Sequence, residues 1–427
     1  MIRSLNSTLK SLLIFLFPFA FLKQAALSFF YIIFIFYFFI KFKELIRFID
    51  KKFLFFCLLF FLSSVIGTVI KNNDINIIFL SILNIKFLIL SIVLAYLLQE
   101  KKLLKIFFFS IATCIAFVML DSVIQYFYGA DLLGYKSKVD WRLTGPFKDE
   151  LIPGSYVQKF FFIFICLFLF FNNSKFKFFF CYLLIAFFIY FLYLTGERAV
   201  FFLSLLGVLF FSIFYLKKYY ILILIPLIII AFFILVNFNN KFIFKFEETL
   251  NQLQIKDYDY KNNFFKIEDD RRFFIDGTYG AKFQLSIKMF KQDIFFGKGI
   301  RGYRKCFDDP KIYSDLDSKN KTSACNTHPH NIYLQLLVEH GLIGLSLFLI
   351  IIFTTLFKII KFFSTEIFFF KNHFNTHKLE IFLMVGCFIQ LLLFIFPFIP
   401  TGGLLSNWNG TFLWIYLGLI NSLKKIW

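Results

Sequence analysis

The chain has few charged residues and few long polar segments. Of its 427 residues, 17% are charged and 59% are apolar, and the mean hydropathy is +0.76. No soluble domain is built from such a composition. Apolar runs of about 16 to 22 residues recur along the chain, and this is the length that a helix needs to cross a bilayer. We therefore predict an all-α polytopic membrane protein with about twelve transmembrane helices.

The N-terminal region lacks the small residues of a signal-peptide cleavage site, and the chain shows no internal repeat. Its first apolar run leads directly into a second, so we interpret it as a retained span. These spans divide the chain into transmembrane helices at 1–237, a large polar loop at 238–329, which we expect to be periplasmic and to contain short helices, and further transmembrane helices at 330–427. The predicted spans are 11–22, 25–40, 53–70, 77–98, 106–127, 156–171, 178–194, 199–216, 219–237, 330–357, 379–400 and 408–423.

Acidic residues are scarce, with 26 against 46 basic residues and a net charge of +20. If the N-terminus is cytoplasmic, the cytoplasmic segments carry 20 Lys and Arg, and the short segments on the other side carry 7. The long loop carries 17 basic and 13 acidic residues, and long translocated loops are exempt from the positive-inside rule. Topology therefore explains the positive charge without nucleic-acid binding, and both termini are predicted to be cytoplasmic.

This topology places the polar motifs on one face of the membrane. The segments RLTGPF (142–147), TGER (195–198) and PTGGLLSNWNG (400–410) and the loop 238–329 all fall on the extracytoplasmic side. Neither ATP nor nucleotide sugars are available there. A transfer reaction on this face requires a donor that is already activated and held in the membrane.

Cysteines are few, and most lie within predicted spans. Cys57, Cys114, Cys166, Cys181 and Cys387 are interpreted as buried apolar residues. Only Cys306 and Cys325 lie outside, 19 residues apart. In an oxidising compartment they can form a disulfide, and two unpaired thiols are the alternative.

The large loop contains one amphipathic pattern. Apolar residues recur at helical spacing in TYGAKFQLSIKMFKQDIFF (278–296), which predicts a helix at the membrane surface or over the spans. The glycines of GKG (297–299) end it, and we interpret them as a turn because a glycine pair is too weak a signal for a phosphate loop.

Three of the five histidines lie in CNTHPHNIYLQLLVEHGLIG at 325–344. On a helix, His330 approaches the same face as Gln335 and Glu339, so polar neighbours can orient an imidazole that acts as a general base. The alternative is an interfacial histidine that caps the tenth span. His328 and His330 also resemble a metal pair, but HxH lacks the remaining ligands of a zinc site, so we predict no metal.

Arginine is the second candidate functional residue type. Arg198 lies in the short turn 195–198, on the side where topology does not require a cation. It either pairs with Glu197 or snorkels, or its guanidinium binds phosphate oxygens bidentately. Several arginines converging on one site would suit a diphosphate leaving group. The others on this face are Arg142, Arg271, Arg272, Arg301 and Arg304.

Two ionisable residues lie within predicted spans. Lys86 is in the fourth span, and Asp121 is in the fifth, one turn before Gln125. Intramembrane charges are usually functional or paired, and an Asp121–Lys86 ion pair is the structural alternative.

Five segments, in order, resemble the O-antigen ligase and O-antigen polymerase superfamily of bacterial inner-membrane glycosyltransferases. Each is loose alone, but their order and topology together are fairly specific. They are DSVIQYFYGADLLGY with RLTGPFKDELIPGSY (121–156), TGERAV (195–200), RRFFIDGTYGAKFQLSIKMFKQDIFFGKGIRGY (271–303), HPHNIYLQLLVEHGLIGL (328–345) and FPFIPTGGLLSNWNGTFLW (396–414).

The resemblance implies transfer of a glycan from undecaprenyl diphosphate to an acceptor hydroxyl, without metal or another cofactor. Carried over by position, His330 is the base, and Arg198 and Arg272 hold the diphosphate. His328 and Arg271 are the adjacent alternatives for these positions. Further substrate-binding candidates are Arg142, Arg301, Asn331, Gln335 and Glu339.

The resemblance leaves the exact reaction open. An O-antigen ligase uses the lipid A–core as acceptor, whereas an O-antigen polymerase uses a second lipid-linked glycan. A non-enzymatic glycolipid transporter would place polar residues through the bilayer midplane, where only Lys86 and Asp121 stand out. We expect a ligase in the bacterial inner membrane, with membrane lipids around it and its site facing the periplasm.

Overall fold

The computed structural model describes residues 7–72, 74–139, 142–215, 257–259, 264–266, 277–308, 311–314, 316, 321–370, 379–398 and 400–422. Helices dominate these ranges. The first ten are α1 (Ser7–Leu16), α2 (Gln24–Ile40), α3 (Phe42–Phe48), α4 (Lys51–Lys71), α5 (Ile75–Leu83), α6 (Lys86–Leu97), α7 (Lys101–Tyr128), α8 (Pro153–Phe171), α9 (Lys177–Thr195) and α10 (Arg198–Tyr215). The others are α11 (Thr278–Gln292), α12 (Lys311–Ser314), α13 (Ile332–Phe370), α14 (Leu379–Phe394) and α15 (Asn407–Ser422).

Short 3-10 helices and one hairpin complete the described structure. The 3-10 helices are Pro18–Leu22, Gly145–Phe147, Gly302–Phe307 and Lys321–Ala324. Strands Asp257–Asp259 and Phe264–Lys266 pair antiparallel within the large loop. This hairpin is a small departure from the predicted all-α class.

Each predicted span that the structure describes contains helix, although the span 77–98 consists of two helices, α5 and α6, and in the span 379–400 the helix ends at Phe394. Seven described helical segments are long and apolar enough to cross a membrane, or up to eight if the bent pair α2 and α3 forms one span. Helix α1 with the following 3-10 turn, and helix α14, are apolar but shorter. The predicted span 219–237 lies outside the described residues. The described helices are those of a multi-pass membrane protein, while the number twelve stays a prediction.

Helix α15 lies at the centre of the bundle, and its residues Gly410–Ser422 are all buried. It packs closely on α6, because a Cβ added at Gly418 would lie 2.7 Å from the Cβ of Ser91. Helix α14 packs on α8 in the same way, through Gly386 against the backbone of Ile163. Small residues at such contacts let helices approach where lipid provides no hydrophobic driving force.

The GKG turn has a structural role at a break in helix α13. Gly341 has φ 64° and ψ −164°, a backbone region that is essentially restricted to glycine. The turn crosses this break with backbone hydrogen bonds on both sides: Lys298 N donates to Val338 O (2.7 Å) and Leu342 N donates to Ile294 O (2.7 Å). The interpretation of GKG as a turn is consistent with this geometry.

Charged contacts dock the same turn on the end of helix α4. Asp293 accepts hydrogen bonds from Lys71 and, at 2.5 Å, from Lys298. Burial raises the pKa of Asp293, but the hydrogen bonds and charges of these two lysines together lower it below its ordinary value. Ile300 N also donates to Thr68 Oγ1 at 3.1 Å. The outer loop is therefore attached to two spans, α4 and α13.

The alternative pairing of Lys86 with Asp121 is not made. Lys86 Nζ donates to Asn407 Oδ1 at 2.6 Å, and Asp121 Oδ1 accepts from Leu132 N at 2.9 Å. Lys86 therefore binds the first residue of α15, and Asp121 binds the loop that follows α7.

We predict that Gly297→Ala destabilises the protein. Gly297 has φ 67°, and an added Cβ would lie 2.6 Å from both Gly341 N and Val338 O. The left-handed strain alone costs about 1–3 kcal/mol, so the thermal unfolding midpoint of the purified protein in detergent should fall. Gly403→Ala is the matched control, because its Cβ would come no closer than 3.9 Å to its neighbours. Equal thermal unfolding midpoints for the two variants would contradict a stabilising role for the close contact between the GKG turn and the break at Gly341.

Candidate active site

Asn331 caps helix α13 and places His330 just outside it. Asn331 Oδ1 accepts from Tyr333 N (3.0 Å) and Leu334 N (3.1 Å), which is the standard N-cap geometry. Its Nδ2 donates to Pro397 O at 2.8 Å. Both ends of the Asn331 amide thus make internal bonds, and substrate binding by this residue stays a prediction.

His330 has φ 58° and is not part of the helix, contrary to the expectation of one helical face with Gln335 and Glu339. A non-glycine residue in the left-handed region is uncommon and is often found at functional sites. The backbone oxygen of His330 accepts from Thr401 N at 2.8 Å. The loop 400–406 therefore holds His330 in this conformation.

The two histidines of HPH form a close pair. Their ring centroids are 4.3 Å apart, His328 Nδ1 lies 2.9 Å from Thr327 Oγ1, and His330 Nε2 lies 3.3 Å from Asn326 Nδ2. Within the described ranges, no group of three His, Cys, Asp or Glu side chains lies close enough to hold a metal ion.

Burial and neighbouring cations keep this pair neutral. Burial, with smaller contributions from the charges of His328 and Lys282, lowers the pKa of His330 from 6.5 to about 4. Burial is also the main cause that lowers the pKa of His328, with Arg304 and Lys282 adding to it. At neutral pH both imidazoles are therefore unprotonated, as a proton acceptor must be.

Lys282 is a site residue that the sequence analysis missed. It is buried in α11, near enough to affect both histidines. In the part of the chain that the structure describes, it makes no ion pair, and its Nζ lies 5.3 Å from the centre of the Tyr279 ring. The sequence pattern could have identified Lys282, because this residue shares the helical spacing of Leu285 and Met289, which lie on the buried face. A lysine on an apolar stripe is a candidate for a specific role.

The predicted residues Gln335 and Glu339 connect the surrounding loops. Gln335 Oε1 accepts from Leu404 N at 2.8 Å, and Gln335 Nε2 donates to Glu339 Oε2 at 3.0 Å. The backbone of Arg301 also hydrogen-bonds to the Glu339 carboxylate. The side chain of Arg301 is exposed, whereas Arg304 Nε donates to Thr327 O at 3.4 Å, beside the histidines.

The turn 195–198 brings a second polar group to the same end of the bundle. Glu197 accepts from Gly154 N (2.5 Å), Ser155 N (3.0 Å) and Ser155 Oγ (2.6 Å), so its carboxylate caps helix α8. Burial raises the pKa of Glu197, although Ser155 and the charge of Arg142 oppose this effect. Arg142 Nη2 also donates to Leu151 O at 2.9 Å.

The predicted arginines are distributed over two groups. Arg198 begins α10 directly after Glu197 and is half-buried, with Arg142 close to the same carboxylate. Arg301 and Arg304 lie beside the histidine block. Arg271 and Arg272 lie outside the described residues, so the predicted convergence of all arginines on one diphosphate stays a prediction.

A cavity of about 190 Å³ is lined by residues that neighbour both the turn 195–198 and the histidine block. Helices α8, α10, α14 and α15 and the loop before α15 line it. Its lining includes Thr401, whose backbone binds His330, and Ala199, which follows Arg198 in the chain. Lys159 of α8 also lines it and is a second residue that the sequence analysis missed.

Residues 182–349 match the model of a family described as O-antigen ligase. The resemblance to the O-antigen ligase superfamily is therefore confirmed. No curated protein matches the chain. The matched segment carries Arg198, Arg272 and His330, whereas Arg142, Lys159 and Thr401 lie outside it. The family implies a glycosyltransferase-like membrane enzyme that acts on lipid-linked glycans.

Within this family segment, Cys306 and Cys325 are joined in a disulfide, with Cα atoms 5.6 Å apart. The bridge connects the 3-10 helix Gly302–Phe307 to the residues just before the histidines. It lies in a small second core with Leu285, Met289 and Tyr303, and Tyr303 also donates from its hydroxyl to Ala324 O at 2.7 Å. The histidine segment is thus connected covalently to the outer loop.

We predict that thiol labelling distinguishes these two cysteines from the rest. A maleimide should not label the native, non-reduced protein, because the five remaining cysteines are buried. After mild reduction, mass spectrometry should find labels on Cys306 and Cys325. Cys306→Ser is the control, since it should expose Cys325 to labelling without reduction. Labelling of both native cysteines without reduction would contradict the bridge.

Proposed function

We propose that the protein is an O-antigen ligase that transfers a glycan from undecaprenyl diphosphate to a hydroxyl of the lipid A–core. The observation that carries the proposal is His330, a neutral, half-buried imidazole held beside cations in the segment that matches the family. The reaction would take place on the periplasmic face of the inner membrane. A disulfide in the outer loop favours that face, because disulfides persist in oxidising compartments.

The donor already carries the chemical activation. His330 accepts the proton of the acceptor hydroxyl as its oxygen bonds to the anomeric carbon of the glycan. The bond from that carbon to the diphosphate breaks, and the electron pair leaves with undecaprenyl diphosphate. Arg198 and Arg272 would stabilise the departing charge, while the site positions the acceptor. No step requires a metal or another cofactor.

The electrostatic environment suits a base that becomes stronger when the donor binds. A pKa of about 4 describes the site with its cations uncompensated. A bound diphosphate places negative charge near Lys282 and the arginines, and negative charge favours protonated imidazole. The pKa of His330 then rises toward the neutral range in which a general base is most effective.

Polymerisation of lipid-linked repeats is the second candidate, because the matched family includes both activities. It requires the same donor, face and base, and differs only in the acceptor. The product therefore distinguishes the two reactions.

We predict that His330→Asn and His330→Gly abolish transfer while the protein still folds. Asn and Gly tolerate φ 58° better than other residues, so both variants remove the base with little backbone strain. Loss of a general base lowers turnover roughly 10²–10⁴-fold. A strain lacking the gene is complemented with wild type or a variant at equal membrane levels, and its lipopolysaccharide and undecaprenyl-linked glycans are separated on gels.

The glycan pools identify the reaction. Long lipid-linked polymer beside bare lipid A–core would indicate a ligase. Cores with a single repeat and no long lipid-linked chains would indicate a polymerase. His330→Ala, which adds left-handed strain, serves as a comparison. If His330→Asn and His330→Gly both restore wild-type lipopolysaccharide, His330 is not the base.

We predict that transfer stays active in mildly acidic conditions. Protonation of His330 removes the base, so kcat/KM for the donor, which reports the donor-free enzyme, should fall by half near pH 4 rather than near the ordinary histidine pKa of 6.5. Lys282→Met removes a positive charge that disfavours imidazolium, so the acid limb should move to higher pH. An acid limb near 6.5 in the wild type, or a downward shift in the variant, would contradict the assignment.

A further inference from the structure

Lys159 is a cation within the membrane-spanning part of the bundle. It lies six residues after Pro153, or about 9 Å along helix α8 at 1.5 Å per residue. Among the described residues it makes no ion pair, because the nearby carboxylate of Glu197 is used by Gly154 and Ser155 at the start of the same helix. Ionisable residues in such positions are expensive, and they usually mark a substrate pathway.

Three aromatic rings hold the ammonium group in place. Lys159 Nζ lies 5.0 Å from the ring centre of Phe394, 5.4 Å from that of Trp408 and 5.6 Å from that of Phe412. Cation–π contacts stabilise a desolvated cation without neutralising it. The positive charge therefore stays available to the cavity that Lys159 lines.

Other polar groups of this cavity are also hydrogen-bond donors without a partner. Within the described residues, the Trp408 indole N–H and the Thr401 hydroxyl are buried and make no hydrogen bond. Trp408 lies in the first turn of α15, where the positive end of the helix dipole adds to the field. A lysine, an indole N–H and a hydroxyl together are complementary to phosphate oxygens.

Another part of the cavity wall is apolar, with Val200, Leu203 and Leu393 among its residues. The cavity also adjoins the histidines, since Thr401 lines it and its N–H binds the His330 carbonyl. A ligand with a phosphate group on a hydrocarbon chain fits both walls. The polar wall lies next to the site where the acceptor would be deprotonated.

We propose that this cavity binds the diphosphate of a prenyl-linked donor, and that Lys159 is a donor-binding residue, supported by Trp408 and Thr401. This inference rests on the proposed function and assigns residues outside the matched family segment. The prenyl chain would lie along the apolar wall, and the glycan would extend toward His330. We favour a diphosphate over a phospholipid phosphodiester because three hydrogen-bond donors belong to residues of the same cavity, and a diphosphate offers them more charged oxygens.

The test is calorimetric titration of the purified full-length protein in detergent with farnesyl diphosphate. Lys159→Met keeps the length and apolar character of the side chain but removes the charge, so affinity should fall about tenfold or more. Lys159→Arg should retain most of the affinity. Trp408→Phe keeps a ring, loses the N–H, and should weaken binding about threefold to tenfold.

Lys177→Met is the matched control, because Lys177 also lies near a ring, that of Phe178, but at the opposite end of helix α9 from the Glu197 turn. Its affinity should equal that of wild type. Unchanged binding in Lys159→Met would overturn the inference. If that variant does not fold, unchanged affinity in Trp408→Phe together with lost affinity in Lys159→Arg would overturn it instead.

Competing ligands test the chemical class. Farnesol should not displace farnesyl diphosphate, which would support recognition of the charge. Displacement at equal concentration by inorganic diphosphate or by phosphatidylglycerol would overturn the prenyl diphosphate assignment. The two proposals can fail separately: His330→Asn should bind farnesyl diphosphate normally, and active transfer in that variant would refute the catalytic proposal without affecting Lys159.

Discussion

The crossing of the GKG turn over the break at Gly341 positions the whole outer part of the molecule. Two backbone segments approach so closely there that a Cβ at Gly297 or Gly341 would meet main-chain atoms at 2.6 Å or less. Helix α11 enters this crossing from one side, and the loop with Cys306 leaves it on the other. Because Asp293 also binds Lys71 at the end of α4, the crossing places Lys282 and the disulfide above the first turns of α13. The position of the histidine pair depends on this arrangement.

The loop before α15 connects the two halves of the candidate site. Its backbone binds His330 through Thr401 and Gln335 through Leu404. Its other side lines the cavity that contains Lys159. A substrate in the cavity and an acceptor at the histidines would therefore be separated by a few residues of one loop. In the proposed reaction, both substrates would therefore stay at the membrane surface.

Acidic and basic residues have different roles at this end of the bundle. Glu197 caps α8, Asp293 binds two lysines, and Glu339 binds Gln335 and the backbone of Arg301. These carboxylates are used in holding the fold together. Lys282 is buried and Lys159 is half-buried, and neither makes an ion pair in the described part of the chain. The result is a local excess of positive charge, which favours anionic ligands and keeps the imidazoles neutral.

The sequence alone predicted the class of the fold and most of its described helices, and its motifs indicated the resemblance to the O-antigen ligase superfamily. Hydrophobic runs and charge asymmetry act through the bilayer, which is a simple and uniform solvent, so local patterns are enough to predict spans. Motif order also selected His330 and Arg198 as candidate site residues, and their roles stay predictions. Only the tertiary structure decided which polar groups meet: the cap by Asn331, the left-handed His330 held by Thr401, and the separate partners of Lys86 and Asp121. Lys159 and Lys282 were missed because a lysine in an apolar pattern has no local signature of its partners. Whether such a cation is paired or available depends on residues hundreds of positions away, and these are brought together only by helix packing.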